Sequence, residues 1–565
     1  MSIKPVDEAR KKLWSLFNDH EEYIYRIQPE RATFKGIHKY DDLLTDLSEK
    51  SLISIYNTTR QFLTQLLKID YNLLSDDDKL NYDIFKHNAK SSLGSEPFKF
   101  HCTPLWQQDG IHINFPVMAA FQPCSNNEEA EKYFKRLEGF GKQVSDTIDN
   151  IRIGMKQNLV MPDFIIEQTL PQIENIYNTN AEDSIFYQKL KSNDDVSSSL
   201  RQKILITISS GVYSEFKRFY DFIKKEYLPK CRKDAGIWSM PDGNERYKYL
   251  IKDYTTLELT PDEIHETGLR ETERITKEME KVIEGLKFTG SMKEFNNYLR
   301  TDPSFFYSEK DDLMNGFRKI LNKMDAKLPK LFGKLPAAGY DLTEMEDFRA
   351  ASAPAAYYYP APDDRTRPGY FYVNTYNLNA RPVYGMTALA LHEAVPGHHL
   401  QIALAQELSD LPTFRREWAS ATSYVEGWAL YAESLGYETG MYEDPYQHYG
   451  ALSNEIWRAC RRVVDTGSHH KKWTREQSVD FMSAHTPNPE HDVRSEVDRY
   501  IAFPGQALAY KIGELKIKGL RRLAESSLNG RFTLKDFHDT ILGSGALPLS
   551  YLEKIVNEWI EKEKQ

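Results

Sequence analysis

The chain has 565 residues, 40% of them hydrophobic and 28% charged, enough for one large cooperative body or for two to three lobes. A formal net charge of −10, with no basic cluster interleaved with aromatics, argues against a general nucleic-acid binder. No apolar run of about 18 residues occurs, so no membrane span is expected.

Helical periodicity dominates. Apolar residues at three- and four-residue intervals predict helices over 51–67, 128–157, 200–226 and 261–286. The last has a defined start. Thr260 is the cap, Pro261 takes the first helical position, and Glu263 stands where a capping box needs it. Residues 351–375 depart from this pattern, being rich in Pro and Ala and then alternating aromatic with polar residues. Tyr370 to Asn374 is the best strand candidate. It lies shortly upstream of the His-Glu pair 392–393, where in zinc peptidases a strand commonly pairs with extended substrate, which makes Tyr370, Tyr372 and Asn374 candidate substrate-binding residues. A small structural hairpin is the alternative. Residues 413–565 read again as successive helices, with a capping box at Thr474 to Gln477 and with Pro504 and Pro548 each able to open a helix. The division expected is an N-terminal helical region, 1–255, forming one wall of a cleft, and a catalytic helical region, 256–565.

The segment HEAVPGHH places three histidines and a glutamate within eight residues, 392–399. A hydrolytic zinc site needs three protein ligands, an open position for water and a base beside that water. His392 and Glu393 suit the first ligand and the base, since neighbouring helical residues diverge by about 100°. The second ligand must be His398 or His399. In a straight helix these lie about 9–10.5 Å further along the axis, whereas atoms sharing one zinc lie within about 3–4 Å of each other. Pro396 has no N–H to give the carbonyl of His392, pushes Val395 towards extended conformations, and is followed by the unrestricted Gly397. The chain is therefore expected to leave the α-helix between Val395 and Gly397, with His398 turned back towards His392. A Pro-kinked core helix with scattered histidines is the competing reading. Downstream, YVEGWALYAE puts Glu426 and Glu433 seven apart on one helix face. Glu426 is the candidate third ligand, with Gly427 permitting close helix approach, and Glu433 the candidate partner that orients a ligand histidine.

Five collinear motifs carry a resemblance: HEAVPGHHLQIALAQEL, YVEGWALYAESLG, VVDTGSHHKKWTREQ, RYIAFPGQALAYKIGELKI and GALPLSYLEKIV, with RPGYFYVNT and LTPDEIHETGL upstream. Together they closely resemble the bacterial domain-of-unknown-function family 885. That family is in turn distantly similar to the helical HExGH zinc peptidases, among them thermostable carboxypeptidases, oligopeptidases and angiotensin-converting enzyme. Aligning GH with GH puts His398 on their second ligand and Glu426-Gly427 on their EG pair, despite two residues inserted before GH. His399 becomes a neighbouring group or an alternative ligand. Such peptidases aim donors from a late helix at the oxyanion, which here implies Tyr510 and Gln506. Between these motifs Glu455, Arg458, Arg462 and Asp465 share one helix face. They read as a buried ion-pair network, or Arg458 and Arg462 as anchors for a substrate carboxylate. His469 is a further group able to reach the cleft.

The expectation is a mainly α, large two-lobed metallopeptidase-like fold with a deep cleft and a small β-hairpin or sheet beside the active-site helix. It would hold one Zn2+ per chain and act on a short peptide or peptide-like substrate, without nucleic acid or membrane. The rivals are a metal-dependent enzyme for a non-peptide amide or ester, and a scaffold that kept the fold without the chemistry. A cytoplasmic location is expected. The start, MSIKPVDEARKKLW, lacks an apolar stretch after its basic residues, and Cys102, Cys124, Cys231 and Cys460 form no CxxC pair.

Overall fold

The periodic segments fold as helices in a computed structural model that describes residues 5–345, 350, 354–362, 365, 367–416 and 421–565. Of the Pro- and Ala-rich stretch, 351–353, 363, 364 and 366 lie outside the described residues. The chain is mainly helical with one small sheet. It groups into two units, Met1–Arg246 and Tyr247–Gln565. Among the described residues no helix is long and apolar enough to cross a membrane.

The first unit is built on α1 (Pro5–Ile27), α2 (Glu49–Leu66), α3 (Asp76–Ser95), α4 (Asn127–Lys156), α5 (Asp163–Asn178) and α6 (Ser198–Ile206). The periodic stretch expected over 200–226 does not stay α-helical. Two π-helical turns, Thr207–Val212 and Ile223–Tyr227, interrupt it. Its core is aromatic, with Phe115 stacked on Phe140 at 4.0 Å and Phe216 against Phe140 at 4.6 Å. Among the described residues the buried Arg136 makes no contact with a carboxylate. It donates instead to the carbonyls of Leu43 and Tyr40 and to Gln122.

The second unit holds the motifs. Helix α7 (Pro261–Gly285) begins at a complete capping box: the Glu263 N–H donates to Thr260 Oγ1 at 3.2 Å and Thr260 N–H to Glu263 Oε2 at 2.9 Å. After α8 (Lys310–Asp325) come β1 (Tyr340–Glu344), β2 (Ala356–Tyr359) and β3 (Gly369–Val373). Strand order is β1-β3-β2, parallel between β1 and β3 and antiparallel between β2 and β3. Phe371 and Val373 point into the core, where Phe371 meets Phe317 of α8 edge-on, while Tyr370 and Tyr372 face the other way, half-buried.

Then follow α9 (Met386–Glu393), α10 (His398–Glu407), α11 (Thr422–Glu438), α12 (Pro445–His469), α13 (Arg475–His485), α14 (Glu490–Ala502), α15 (Ala509–Leu528) and α16 (Leu549–Lys564). Thr474 and Gln477 form the expected box at the start of α13, and Pro548 is the residue just before α16. Pro504 opens no helix; it sits in the turn between α14 and the short 3-10 turn Gln506–Leu508. Helices α11 and α15 cross backbone to backbone. A Cβ on Gly513 would lie 1.8 Å from the Ser423 carbonyl oxygen and 2.7 Å from Gly427 Cα, so only glycine fits. That crossing sets Tyr510, about one turn before Gly513, beside the helix that carries Glu426.

Candidate metal centre

The helix breaks where the proline spacing requires. Helix α9 ends at Glu393, α10 starts at His398, and residues 394–397 form a turn containing a cis Val395–Pro396 bond. Gly397 is needed for space. Its φ is −79°, but a Cβ there would lie 1.9 Å from the His392 carbonyl oxygen and 2.4 Å from that of Leu391. The turn thus folds back against the end of α9, and Trp428 of α11 fixes it by donating from Nε1 to the Pro396 carbonyl at 2.9 Å.

This folding back places His398 beside His392, with ring centroids 4.7 Å apart and planes at 87°. One ligand atom from each of His392, His398 and Glu426 lies within 4.8 Å of the others. Both His Nε2 atoms stand 3.6 Å from Glu426 Oε2. That is too long for a hydrogen bond, and close to the roughly 3.3–3.4 Å between ligand atoms around tetrahedral zinc. Glu426 Oε2 is buried and has no hydrogen-bond partner among the described residues. An ionised oxygen left bare in this way is costly unless a cation meets it. The three residues therefore fit a metal ion. His392 Nδ1 faces Glu433 Oε1 at 2.8 Å, which leaves Nε2 aimed at the cluster. Burial pushes the His392 imidazole down, but Glu426 and Glu433 outweigh it and lift it to about 9. Burial raises the Glu426 carboxyl, yet the two histidines hold it well below the usual carboxylate range.

Glu393 is buried beside the cluster, its carboxyl raised chiefly by burial. Its Oε2 accepts the Tyr358 N–H of β2 at 2.9 Å. Burial also raises the Tyr510 phenol, with the Glu426 charge as the next cause, and Gln506 Nε2 lies 3.5 Å from its oxygen.

Other predicted residues lie elsewhere. His399 is no part of the cluster: it turns to the sheet, with Nδ1 3.0 Å from the Tyr358 hydroxyl and its ring against Tyr340. His469 is fully buried with Nε2 on the Tyr500 carbonyl at 2.9 Å. Tyr370 and Tyr372 belong to the central strand, whose two edges are taken by β1 and β2, so β3 has no free edge for a substrate. Buried Asn374 donates from Nδ2 to the carbonyls of Ala350 and Pro354, a structural role. Arg458 lies 3.8 Å from Glu433, behind the His392 ring, and Arg462 is buried with Glu271 the first carboxylate to influence it. Arg458 Nε and Arg462 Nε and Nη1 are buried without a hydrogen-bond partner among the described residues.

Sequence reasoning missed Tyr358, Trp428 and Gly513, which meet Glu393, the 394–397 turn and the α11 backbone. The Tyr-x-x-Gly spacing from Tyr510 to Gly513 and the Glu-Gly-Trp run at 426–428 were the available signals for two of them.

Two solved structures are similar over nearly the whole length. That of the "putative lipoprotein" from Colwellia psychrerythraea has a TM-score of 0.93 at 29% identity, covering 99% of this chain and 100% of that one. That of a "putative lipoprotein of unknown function" from Shewanella oneidensis shares the fold at a TM-score of 0.75 and 17% identity, covering 96% and 99%. No curated protein matches the chain. The family model described as "Bacterial protein of unknown function (DUF885)" matches residues 29–556, and the chain belongs to that family.

Proposed function

We propose that the chain is a zinc-dependent hydrolase, a metallopeptidase of short peptides, with one zinc held by His392, His398 and Glu426. The observation that carries this reading is the buried, unpartnered Glu426 Oε2 set 3.6 Å from two imidazole nitrogens, with Glu393 alongside. When bound, zinc would supply Lewis acidity and bring the pKa of a water near 7. Glu393, buried beside these residues, would serve as the base for an attacking water and pass the proton on to the leaving amine. Glu433 holds the His392 ring in its ligand tautomer. Tyr510, steadied by Gln506, offers its hydroxyl to the developing oxyanion, where one preorganised donor is worth about 3–4 kcal/mol.

The extended substrate pairs with β2, not β3. Strand β2 is an outer strand, and its Tyr358 N–H points away from β3 towards Glu393. The two-lobed, deep-clefted metallopeptidase architecture belongs to the same proposal. So does a cytoplasmic location, for which the four unpaired cysteines speak, while the two similar structures are named for lipoproteins. Cell fractionation decides that point.

Elemental analysis of metal-replete protein should give one zinc per chain, and a peptide-library digest read by mass spectrometry should show cleavage. Glu393→Gln should abolish turnover with zinc content intact. Absence of stoichiometric metal, or full activity in E393Q, overturns the reading.

A further inference from the structure

Around Tyr510 and Gln506 lies a charged cluster that bond hydrolysis itself does not use. Glu496 and Arg499 come from α14 and Arg461 from α12. The single carboxylate of Glu496 receives Arg461 Nη2 at 2.9 Å, Arg499 Nε at 3.0 Å, Arg499 Nη2 at 3.1 Å and the Tyr500 hydroxyl at 2.7 Å. Arg499 Nη1 donates to Gln506 Oε1 at 2.8 Å, so one arginine orients the amide that in turn faces Tyr510. The Arg461 guanidinium lies over the Tyr510 ring, 4.6 Å from its centroid, and Arg461 Nε donates to the Tyr500 hydroxyl at 2.8 Å.

Two guanidiniums here share one carboxylate. Other acids nearby do not remove the surplus. Asp465 influences Arg499 but spends its oxygens on Tyr247 and the Gly505 N–H. Asp492 has Arg381 as its own cationic neighbour. Nor is the cluster sealed: the side chains of Arg461, Arg499 and Glu496 keep 10%, 11% and 24% of their surface accessible. A guanidinium surplus in a wall with so little water is relieved by an anion. The second terminal nitrogen of Arg461 has no partner among the described residues. An arginine already aligned by a carboxylate and a stacked ring suits a planar carboxylate ligand.

We propose that Arg461, aligned by Glu496 and Arg499, anchors a carboxylate of the peptide substrate beside the metal centre. This rests on the hydrolase reading and names its substrate class: short peptides that carry an acid, either the free C-terminus or an Asp or Glu side chain, next to the scissile bond. Arg461 would be a binding residue, and Arg499 a positioning residue acting through Glu496 and Gln506.

Binding to the zinc-loaded Glu393→Gln protein, measured by calorimetry, tests the site without turnover. Two probe pairs separate the sources of the acid: acetyl-trialanine against its C-terminal amide, and acetyl-Ala-Glu-Ala-amide against acetyl-Ala-Gln-Ala-amide. The acid of at least one pair should bind about 10- to 100-fold tighter than its neutral partner. Preference within the first pair identifies a C-terminal exopeptidase, and within the second an enzyme selecting acidic residues. Arg461→Met should erase the preference and Arg461→Lys should keep part of it. Equal binding within both pairs, or no binding by any probe, overturns the inference; neither outcome needs a variant at Arg461 to fold. Cleavage of neutral-ended peptides with equal binding would leave the hydrolase reading standing. Acid-selective binding by a protein that holds no zinc would do the reverse.

Discussion

Replacing Gly397 by alanine tests whether the helix break places the second ligand. The added Cβ would lie 1.9 Å from the His392 carbonyl oxygen, 2.4 Å from that of Leu391 and 2.5 Å from the His392 carbonyl carbon. All three are backbone atoms, so no side-chain rotation relieves the clash. Reaching even a 3.0 Å contact requires the turn to retreat by about 1.1 Å from the end of α9. His398 follows Gly397 directly and must move with it, whereas a zinc ligand tolerates only about 0.2 Å. The overpacking should cost roughly 1–3 kcal/mol of stability. Losing a partner that merely orients a ligand lowers metal affinity about 10- to 100-fold, so displacing the ligand itself should cost about 100-fold or more. Zinc affinity by chelator competition, alongside thermal melts, measures both effects. Gly285→Ala is the control, since nothing lies within 4 Å of a Cβ there, and it should be neutral or stabilising by up to about 1 kcal/mol. A G397A protein that binds zinc as tightly as its parent refutes the reasoning, whatever its melting temperature.

Glu433→Ala should lower zinc affinity by about 10- to 100-fold and leave the fold intact, because it removes the acceptor at His392 Nδ1; unchanged affinity would deny Glu433 that role. Trp428→Phe leaves the buried Pro396 carbonyl without its donor and should cost about 1–3 kcal/mol in denaturant unfolding. Asp465 is lifted by burial from 3.8 to about 7, so between those values the native state holds a proton that the unfolded state has released. Its contribution to stability therefore falls as pH rises through that window, and Asp465→Asn should flatten this part of the stability-against-pH curve. An unaltered slope in the variant would show that Asp465 does not titrate there.

The parts of the site that the sequence made legible are those governed by local backbone chemistry. Pro396 with Gly397 required a break, and a break between His392 and His398 allowed two residues with the wrong helical spacing to meet. Seven-residue spacing placed Glu426 and Glu433 on one face. What stayed hidden depends on non-local geometry. A strand pattern at 370–374 gives no strand order, and only the pairing of β1 with β3 shows that β3 is enclosed and β2 is the outer strand. The direction of His399 follows from where the broken helix resumes, which residue spacing does not determine. Arg458 and Arg462 share a helix face with Asp465, but what each arginine meets depends on how α7, α11 and α15 pack around α12.

The tripeptide Glu426-Gly427-Trp428 ties these levels together. Consecutive helical residues point about 100° apart, so three neighbours on α11 meet three different structures. Glu426 turns to His392 and His398. Gly427 lets α15 approach until Gly513 touches its backbone, which brings in Tyr510. Trp428 reaches the Pro396 carbonyl and holds the turn that delivers His398. A candidate metal ligand, a helix contact and a loop anchor are therefore fixed by one short stretch of rigid helix, and rotating α11 about its axis would disturb all three at once. The same rigidity explains how a site with two residues too many between its histidines keeps a compact geometry: the slack sits in a turn pinned at both sides, by the end of α9 and by Trp428, instead of in the ligand positions.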